Sequence, residues 1–213
     1  MDPLAQISAM IAVTMGAAWA SGINFYAAVL VLGLLGTTDL ANLPPGLEIL
    51  MNPLVLSAAG IMYLVEFFTD KIPGVDSLWD ALHTFVRIPG GALLAAGAYT
   101  EMGPAVTLAA AMVGGGLAAT AHAAKAGTRI MINTSPEPIS NWVASVTEDM
   151  VVVGGLWAAL FHPLLFFFCL VLFLILLIWL LPRLWRHGKN AFSSWPKVFQ
   201  ASSGKRLPGR KHL

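Results

Sequence analysis

Residues Glu66 to Arg87 read EFFTDKIPGVDSLWDALHTFVR, and whether this stretch sits in water or in lipid decides the fold. Glu66 and Asp70 are four apart, so on a helix they share a face. Pro73-Gly74 then marks a turn. Beyond it Asp76, Asp80, His83 and Arg87 follow at intervals of 4, 3 and 4, which draws one polar stripe along a second helix. A soluble protein would turn such a stripe to water, but the surrounding chain points to a different solvent.

Of the 213 residues 57% are hydrophobic and only 11% charged, against roughly 25% charged in soluble domains. The expected fold is therefore all-α, a polytopic membrane helix bundle of about six transmembrane or re-entrant segments. They are placed near Leu4 to Leu35, Pro53 to Phe68, Ser77 to Tyr99, Pro104 to Lys125, Asn141 to Phe161 and Pro163 to Leu181, and several of them meet or approach the length a bilayer demands. The last, LLFFFCLVLFLILLIWLL, carries no charge and reads as an anchor. It holds the one cysteine, Cys169, which has no intrachain disulfide partner. The start, MDPLAQ, is not basic and leads to no convincing cleavage pattern, so the first segment reads as retained.

Eight of the twelve basic residues lie in 183–213, a region without Asp or Glu. By the positive-inside rule this tail is cytoplasmic and, with six passes, so is the N-terminus of an inner-membrane protein. Residues 1–185 are expected as a single transmembrane domain and 186–213 as a basic, partly disordered tail.

PGVDSLW (Pro73 to Trp79) has an echo in PEPISNW (Pro136 to Trp142). Both are Pro-x-x-x-Ser-x-Trp, which suggests repeat units of about 53–102 and 104–161, each a helical hairpin, with 163–182 following as the final helix. Ser77 and Ser140 are the expected N-caps, with Asp80 at capping-box spacing to Ser77. Trp79 and Trp142 would take matching positions near the membrane interface. Before the turns, Glu66 and Asp70 align with Lys125 and Arg129, so an acidic pair would meet a basic pair. His122 stands one turn before Lys125. Lys71, Asn133, Asn141, Glu148 and Asp149 complete the expected polar cluster.

At bilayer depth each ionisable group costs on the order of 3 kcal/mol unless paired or hydrated. The stripe must face protein or water. An alternative lays residues 77–87 in the interface as an amphipathic helix, bends the chain at Pro89-Gly90-Gly91, and leaves Gly90 to Glu101 as a re-entrant segment. In the first segment Ser21-Gly22-Ile23-Asn24 interrupts a run that is too long for one straight crossing. A helix break at Ser21, Gly22 and Asn24, as in discontinuous transporter helices, competes with a hairpin or a tilted helix. The many Gly and Ala residues elsewhere suit close helix crossings and a homodimer.

No hydrolase, zinc, redox or nucleotide signature occurs, so neither an enzyme nor a cofactor nor nucleic acid is expected. A metal site from His83, Asp80, Glu66 and Asp70 stays open chemically, with Lys71, Lys125 and Arg129 competing for the oxygens. The stretches VEFFTDKIPGVDSLWDALHTFVRIPGGALLAAGA, ASGINFYAAVLVLGLLG and AHAAKAGTRIMINTSPEPISNWVASVTED, the last followed by HPLL, resemble the bacterial membrane family catalogued as domain of unknown function 4126. The resemblance covers roughly residues 15 to 185 and implies an all-helical integral membrane fold, with no substrate attached to it. The physical reading is a small transporter or channel for a cation, proton or small charged solute. A noncatalytic scaffold locked by its buried charges is the alternative, and an enzyme acting on lipid headgroups ranks last.

Overall fold

A computed structural model describes residues 2–133, 138–180 and 182. Six long helices follow one another: α1 (Pro3–Thr37), α2 (Pro53–Thr69), α3 (Val75–Gly97), α4 (Pro104–Ile132), α5 (Pro138–Phe161) and α6 (Pro163–Leu180). Short 3-10 helices at Pro45–Met51 and Thr100–Met102 lie between them, and there is no strand among the described residues. Five of the six long helices open on proline, where the missing N–H would lack an intrahelical partner anyway. Asp2 and Asn52 cap α1 and α2 by accepting from the backbone N–H of Leu4 and Leu54.

The all-helical expectation holds, and the segment count is narrower than expected. Helices α1, α4, α5 and α6 are each long and apolar enough to cross a membrane, and the Pro45–Met51 helix with α2, bent by 65°, makes a fifth candidate. The polar stripe keeps α3 out of that class. The bend that the interfacial alternative needs is absent: α3 runs unbroken from Val75 to Gly97 with Pro89 inside it, so Pro89-Gly90-Gly91 does not divide it.

Helix α1 is the axis of the bundle, packed on α5, α4 and α3, while α3 lies most extensively on α4. The two helices within each hairpin, α2 with α3 and α4 with α5, touch far less. Small residues allow the close crossings. A Cβ on Gly22 would run into the Ala118 carbonyl of α4, and one on Gly114 into Ala95 of α3. In lipid, such packing supplies the association that the hydrophobic effect supplies in water. Two compact units divide within α6, Met1–Phe173 and Leu174–Leu213. All features discussed below belong to the first.

The basic tail and the turn Thr134 to Glu137, with Pro136, lie outside the described residues. The first turn departs from its expected capping. Gly74, at φ 85°, permits the reversal and α3 begins at Val75, so Ser77 sits inside the helix. Asp76 instead receives the backbone N–H groups of Gly74 and Ser77 at 2.8 and 2.7 Å. Ser140 likewise lies within α5. The tryptophans differ in exposure: Trp79 is half-buried with its indole nitrogen enclosed, whereas Trp142 is 51% exposed.

Candidate functional site

The ends of α2 and α4 and the beginnings of α3 and α5 converge, and they carry their charges inward. Along α3 the stripe is the buried face: Asp76, Asp80, His83 and Arg87 are all buried there, while Leu78, Leu82 and Phe85 on the other side are exposed. From α2 come Glu66 and, just past its end, Asp70. From α4 come His122, Lys125 and Arg129, all buried. Helix α5 supplies Asn141, Ser145 and Glu148, spaced 4 and 3 like the stripe itself.

Arg87 bridges two helices. Its Nη2 donates to Glu66 Oε1 at 2.6 Å and its Nη1 to Asp80 Oδ1 at 2.7 Å. Arg129 grips Glu148 with both oxygens, Nε to Oε1 at 3.1 Å and Nη2 to Oε2 at 2.7 Å, the strong paired geometry of guanidinium and carboxylate. It also donates to the Asp70 and Asn141 carbonyls. Lys125 is the hub: its Nζ lies 2.7 Å from Asp70 Oδ2, 3.3 Å from Glu148 Oε2, 3.4 Å from Glu66 Oε1 and 3.6 Å from Asp80 Oδ1. The expected meeting of Glu66 and Asp70 with Lys125 and Arg129 thus occurs in the structure.

Among the described residues this network joins five carboxylates, counting Asp76 at 4.0 Å from Arg129, to three bases. With every one of these groups ionised, negative charge is in excess by two. Glu66 Oε2, Asp70 Oδ1 and Asp80 Oδ2 are buried and accept no hydrogen bond among the described residues, although burying an unsatisfied acceptor is costly.

The remaining expected residues stand around this centre in distinct roles. His122 accepts from Arg87 Nη1 at Nδ1, 3.1 Å away. Arginine only donates, so His122 is neutral, with Nε2–H directed to Thr84 Oγ1 at 2.8 Å. Asn133 donates to both oxygens of Asp76 at 2.9 Å and accepts from Asn141. His83 is not on the ions. It stacks on Trp79, with ring centroids 4.1 Å apart, and pairs with the Tyr26 hydroxyl. Lys71 corrects another expectation: its ammonium donates to the Phe67 carbonyl and to Ser145 and rests over the Phe67 ring, so it does not compete for the cluster's oxygens. Burial pulls this ammonium below its ordinary range despite Asp149 and Asp70.

Asp149 forms a second, separate station. It accepts from Asn24 Nδ2 at 3.1 Å and from the Tyr63 hydroxyl at 3.0 Å. Asn24 is where α1 breaks, with φ −147° and ψ 99°, and its side-chain oxygen accepts from the Ala27 N–H at 2.9 Å. It thereby acts as N-cap to the second half of the helix. Ser21 donates to the Arg87 carbonyl at 2.7 Å, and Gly22 lets α4 approach. The interruption read from Ser21, Gly22 and Asn24 is therefore a real break within one long helix.

Sequence reasoning missed Tyr63, Thr84, Ser145 and Tyr26. Ser145 had a legible signal in its spacing from Asn141 and Glu148. Isolated Tyr and Thr residues in apolar helices gave none. No group of three or more His, Cys, Asp or Glu side chains is placed to hold a metal ion among the described residues, so the set His83, Asp80, Glu66 and Asp70 does not form such a group.

A cavity of about 580 Å³ opens between α4 and α5. Ala121, Ala124, Ile139, Val143 and Val151 make its lining largely apolar, while Lys125 and Glu148 line it too and so belong to both the cavity and the ionic cluster.

The family model described as Domain of unknown function (DUF4126) matches residues 11–183. That range takes in α2 to α6 whole and α1 from Ile11 onward, and the chain belongs to this family. No curated protein matches, and no solved structure does.

Proposed function

We propose that this DUF4126 protein is a small membrane transporter or channel, not an enzyme, which moves a proton, a cation or a small charged solute through the charged cluster. We read the α2–α3 and α4–α5 hairpins as two copies of one unit, with the pathway between them. The termini are assigned to the cytoplasmic side of the inner membrane.

The observation that carries this reading is the imbalance of the cluster. Five buried or half-buried carboxylates face three bases, and three carboxylate oxygens lack a donor among the described residues. Two uncompensated negative charges at membrane depth are strongly unfavourable, and the binding of protons or a cation relieves them. Glu66, Asp70 and Asp80, with one unpartnered oxygen each among the described residues, are the acceptors. Glu148, whose side chain is 16% exposed, is the cluster's contact with the cavity. The break at Asn24 supplies the backbone irregularity from which transporters commonly build such paths.

The test is flux in proteoliposomes, comparing wild type with Asp80→Asn and Glu148→Gln. Loss of flux in both variants is expected. Equal flux in all three would remove these carboxylates from the pathway.

A second reading, a noncatalytic scaffold, draws on the directness of the pairs: Arg87 ties α2 to α3, and Arg129 ties α4 to α5, at 2.6 and 2.7 Å. On that view the paired exchange Asp70→Lys with Lys125→Asp restores folding, and no ion affects stability.

A further inference from the structure

Lys125 does more than neutralise its neighbours. Its ammonium has three N–H donors, yet four carboxylates from three parts of the chain, Glu66 and Asp70 at the end of α2, Asp80 on α3 and Glu148 on α5, stand within 2.7 to 3.6 Å of it. Glu66, Asp70 and Asp80 each keep a second oxygen that is buried and unpartnered among the described residues. Arg87 and Arg129 also donate to Glu66 Oε1, Asp80 Oδ1 and Glu148 Oε2, so the acceptors left over are the second oxygens of Glu66, Asp70 and Asp80.

We infer that these four carboxylates form a site for an ammonium-type cation, either unsubstituted ammonium or a short primary alkylammonium, whose resting occupant is the side chain of Lys125 and whose access is the cavity between α4 and α5. This assignment rests on the transport reading and narrows it to a substrate class.

Three features select this class. First, the oxygens stand 2.7 to 3.6 Å from the nitrogen, those of Glu66 and Asp70 as hydrogen-bond acceptors and those of Asp80 and Glu148 as ion pairs, whereas a hard metal ion such as calcium needs oxygens at about 2.3–2.6 Å, and the described acids form no group placed to hold a metal. Second, the cavity is mostly hydrocarbon. Ala121, Ala124, Val143 and Val151 suit an alkyl substituent and disfavour a strongly hydrated ion. Third, Lys125 and Glu148 line both the cavity and the cluster, so a cation in the cavity meets the site without crossing another layer of side chains. The outer rim carries Ile139 and Val143, which are 75% and 61% exposed, so the cavity opens at the bundle surface. A primary ammonium arriving there reproduces the end of the lysine side chain, and exchange proceeds as the tethered ammonium withdraws along its flexible stem.

The full-length protein provides the test in two measurements. In detergent, Lys125→Ala is unfolded by heat in methylammonium, n-butylammonium, sodium or tetramethylammonium chloride at equal ionic strength. The primary ammonium salts should restore stability at about tenfold lower concentration than sodium or tetramethylammonium, which has the charge but no N–H. Equal potency of all four salts overturns the assignment. In liposomes, wild type should take up labelled methylammonium above protein-free vesicles, and Ala144→Phe, which fills the cavity, should cut that uptake about tenfold. Uptake no greater than in protein-free vesicles also overturns it, and this measurement decides should Lys125→Ala remain unfolded in every salt. Wild-type vesicles that pass protons or sodium but not methylammonium refute the substrate class and leave the transport reading standing. Vesicles that pass none of the three refute both.

Discussion

Lys125 Nζ and Asp70 Oδ2 meet at 2.7 Å across 55 residues of sequence, and the contact joins α4 to the end of α2, a junction that Lys125 with Glu66 and Arg129 with Asp70 reinforce. Both side chains are almost wholly buried. Removing the ammonium leaves four carboxylates facing one another. Lys125→Met should therefore cost about 3–5 kcal/mol of stability, as for other buried pairs broken from one side, and Lys125→Arg clearly less. Denaturant unfolding in detergent reads the difference. A Lys125→Met protein as stable as wild type would show that the cluster is hydrated and screened.

Asn24 holds both the restart of α1 and one hydrogen bond to Asp149. Asn24→Ala should lose about 1–2 kcal/mol, the usual scale of an N-cap. Asn24→Asp retains the cap but puts two carboxylates in contact, so it should be worse than alanine. If aspartate instead proves the milder change, the contact with Asp149 is not part of the folded state in solution.

Glycine substitutions should separate tight crossings from open faces. Gly22→Ala drives a methyl against the Ala118 carbonyl, while Gly116→Ala meets nothing within 4 Å. The first should lower the thermal midpoint markedly, and the second should leave it unchanged or raise it slightly through better helix propensity. Matching effects at the two sites would mean that α1 and α4 do not approach so closely.

Much of this arrangement was legible because membrane helices announce themselves by length and by proline at their starts. Pro53, Pro104 and Pro163 each open a helix close to the expected place. The stripe from Asp76 to Arg87 was legible because a 4-3-4 spacing survives any choice of solvent, and the meeting of acidic and basic pairs was read from the alignment of Glu66 and Asp70 with Lys125 and Arg129 before the two turns. What escaped was local and context-dependent. Gly74 lets α3 start two residues early, which takes Ser77 out of its expected cap. The 3-10 helix Pro45–Met51 buries only Leu47 and Leu50, too short a pattern to stand out. Lys71 turned to an aromatic ring and a carbonyl, a choice that depends on Phe67 lying one turn away.

Lys71 also gives a pH signature. Its folded-state pKa is depressed below 10.5 by burial, so from the folded pKa up to 10.5 the unfolded chain binds more protons than the folded one. Stability must rise with pH across that interval. Wild type should therefore gain on Lys71→Met as the pH climbs from neutrality toward 10.5, measured by thermal unfolding of both proteins in parallel. A constant gap between them would mean that the ammonium is solvated.

The direction of α3 can be read by labelling. Ile72 and Glu101 flank it and are exposed. In a Cys169→Ser background, Ile72→Cys and Glu101→Cys should react with an impermeant maleimide from opposite faces of sealed vesicles. Labelling of both from one face would place α3 along the membrane surface or in a re-entrant path.

The sequence distances within the ionic cluster also impose a chronology on synthesis. Arg87 finds Asp80 seven residues behind it and Glu66 twenty-one behind, so this triad can close as soon as α3 leaves the ribosome. Lys125 and Arg129 are translated later, and Glu148 later still. The nascent chain can thus shelter its most polar helix with a provisional neutralisation and complete the network only when α4 and α5 emerge. A chain ending at Gly103 should still integrate α3 when assayed with a glycosylation tag, and Glu66→Gln should impair that integration more in the truncated chain than in the full one. Equal impairment in both would show that the helices are sorted only after synthesis is complete.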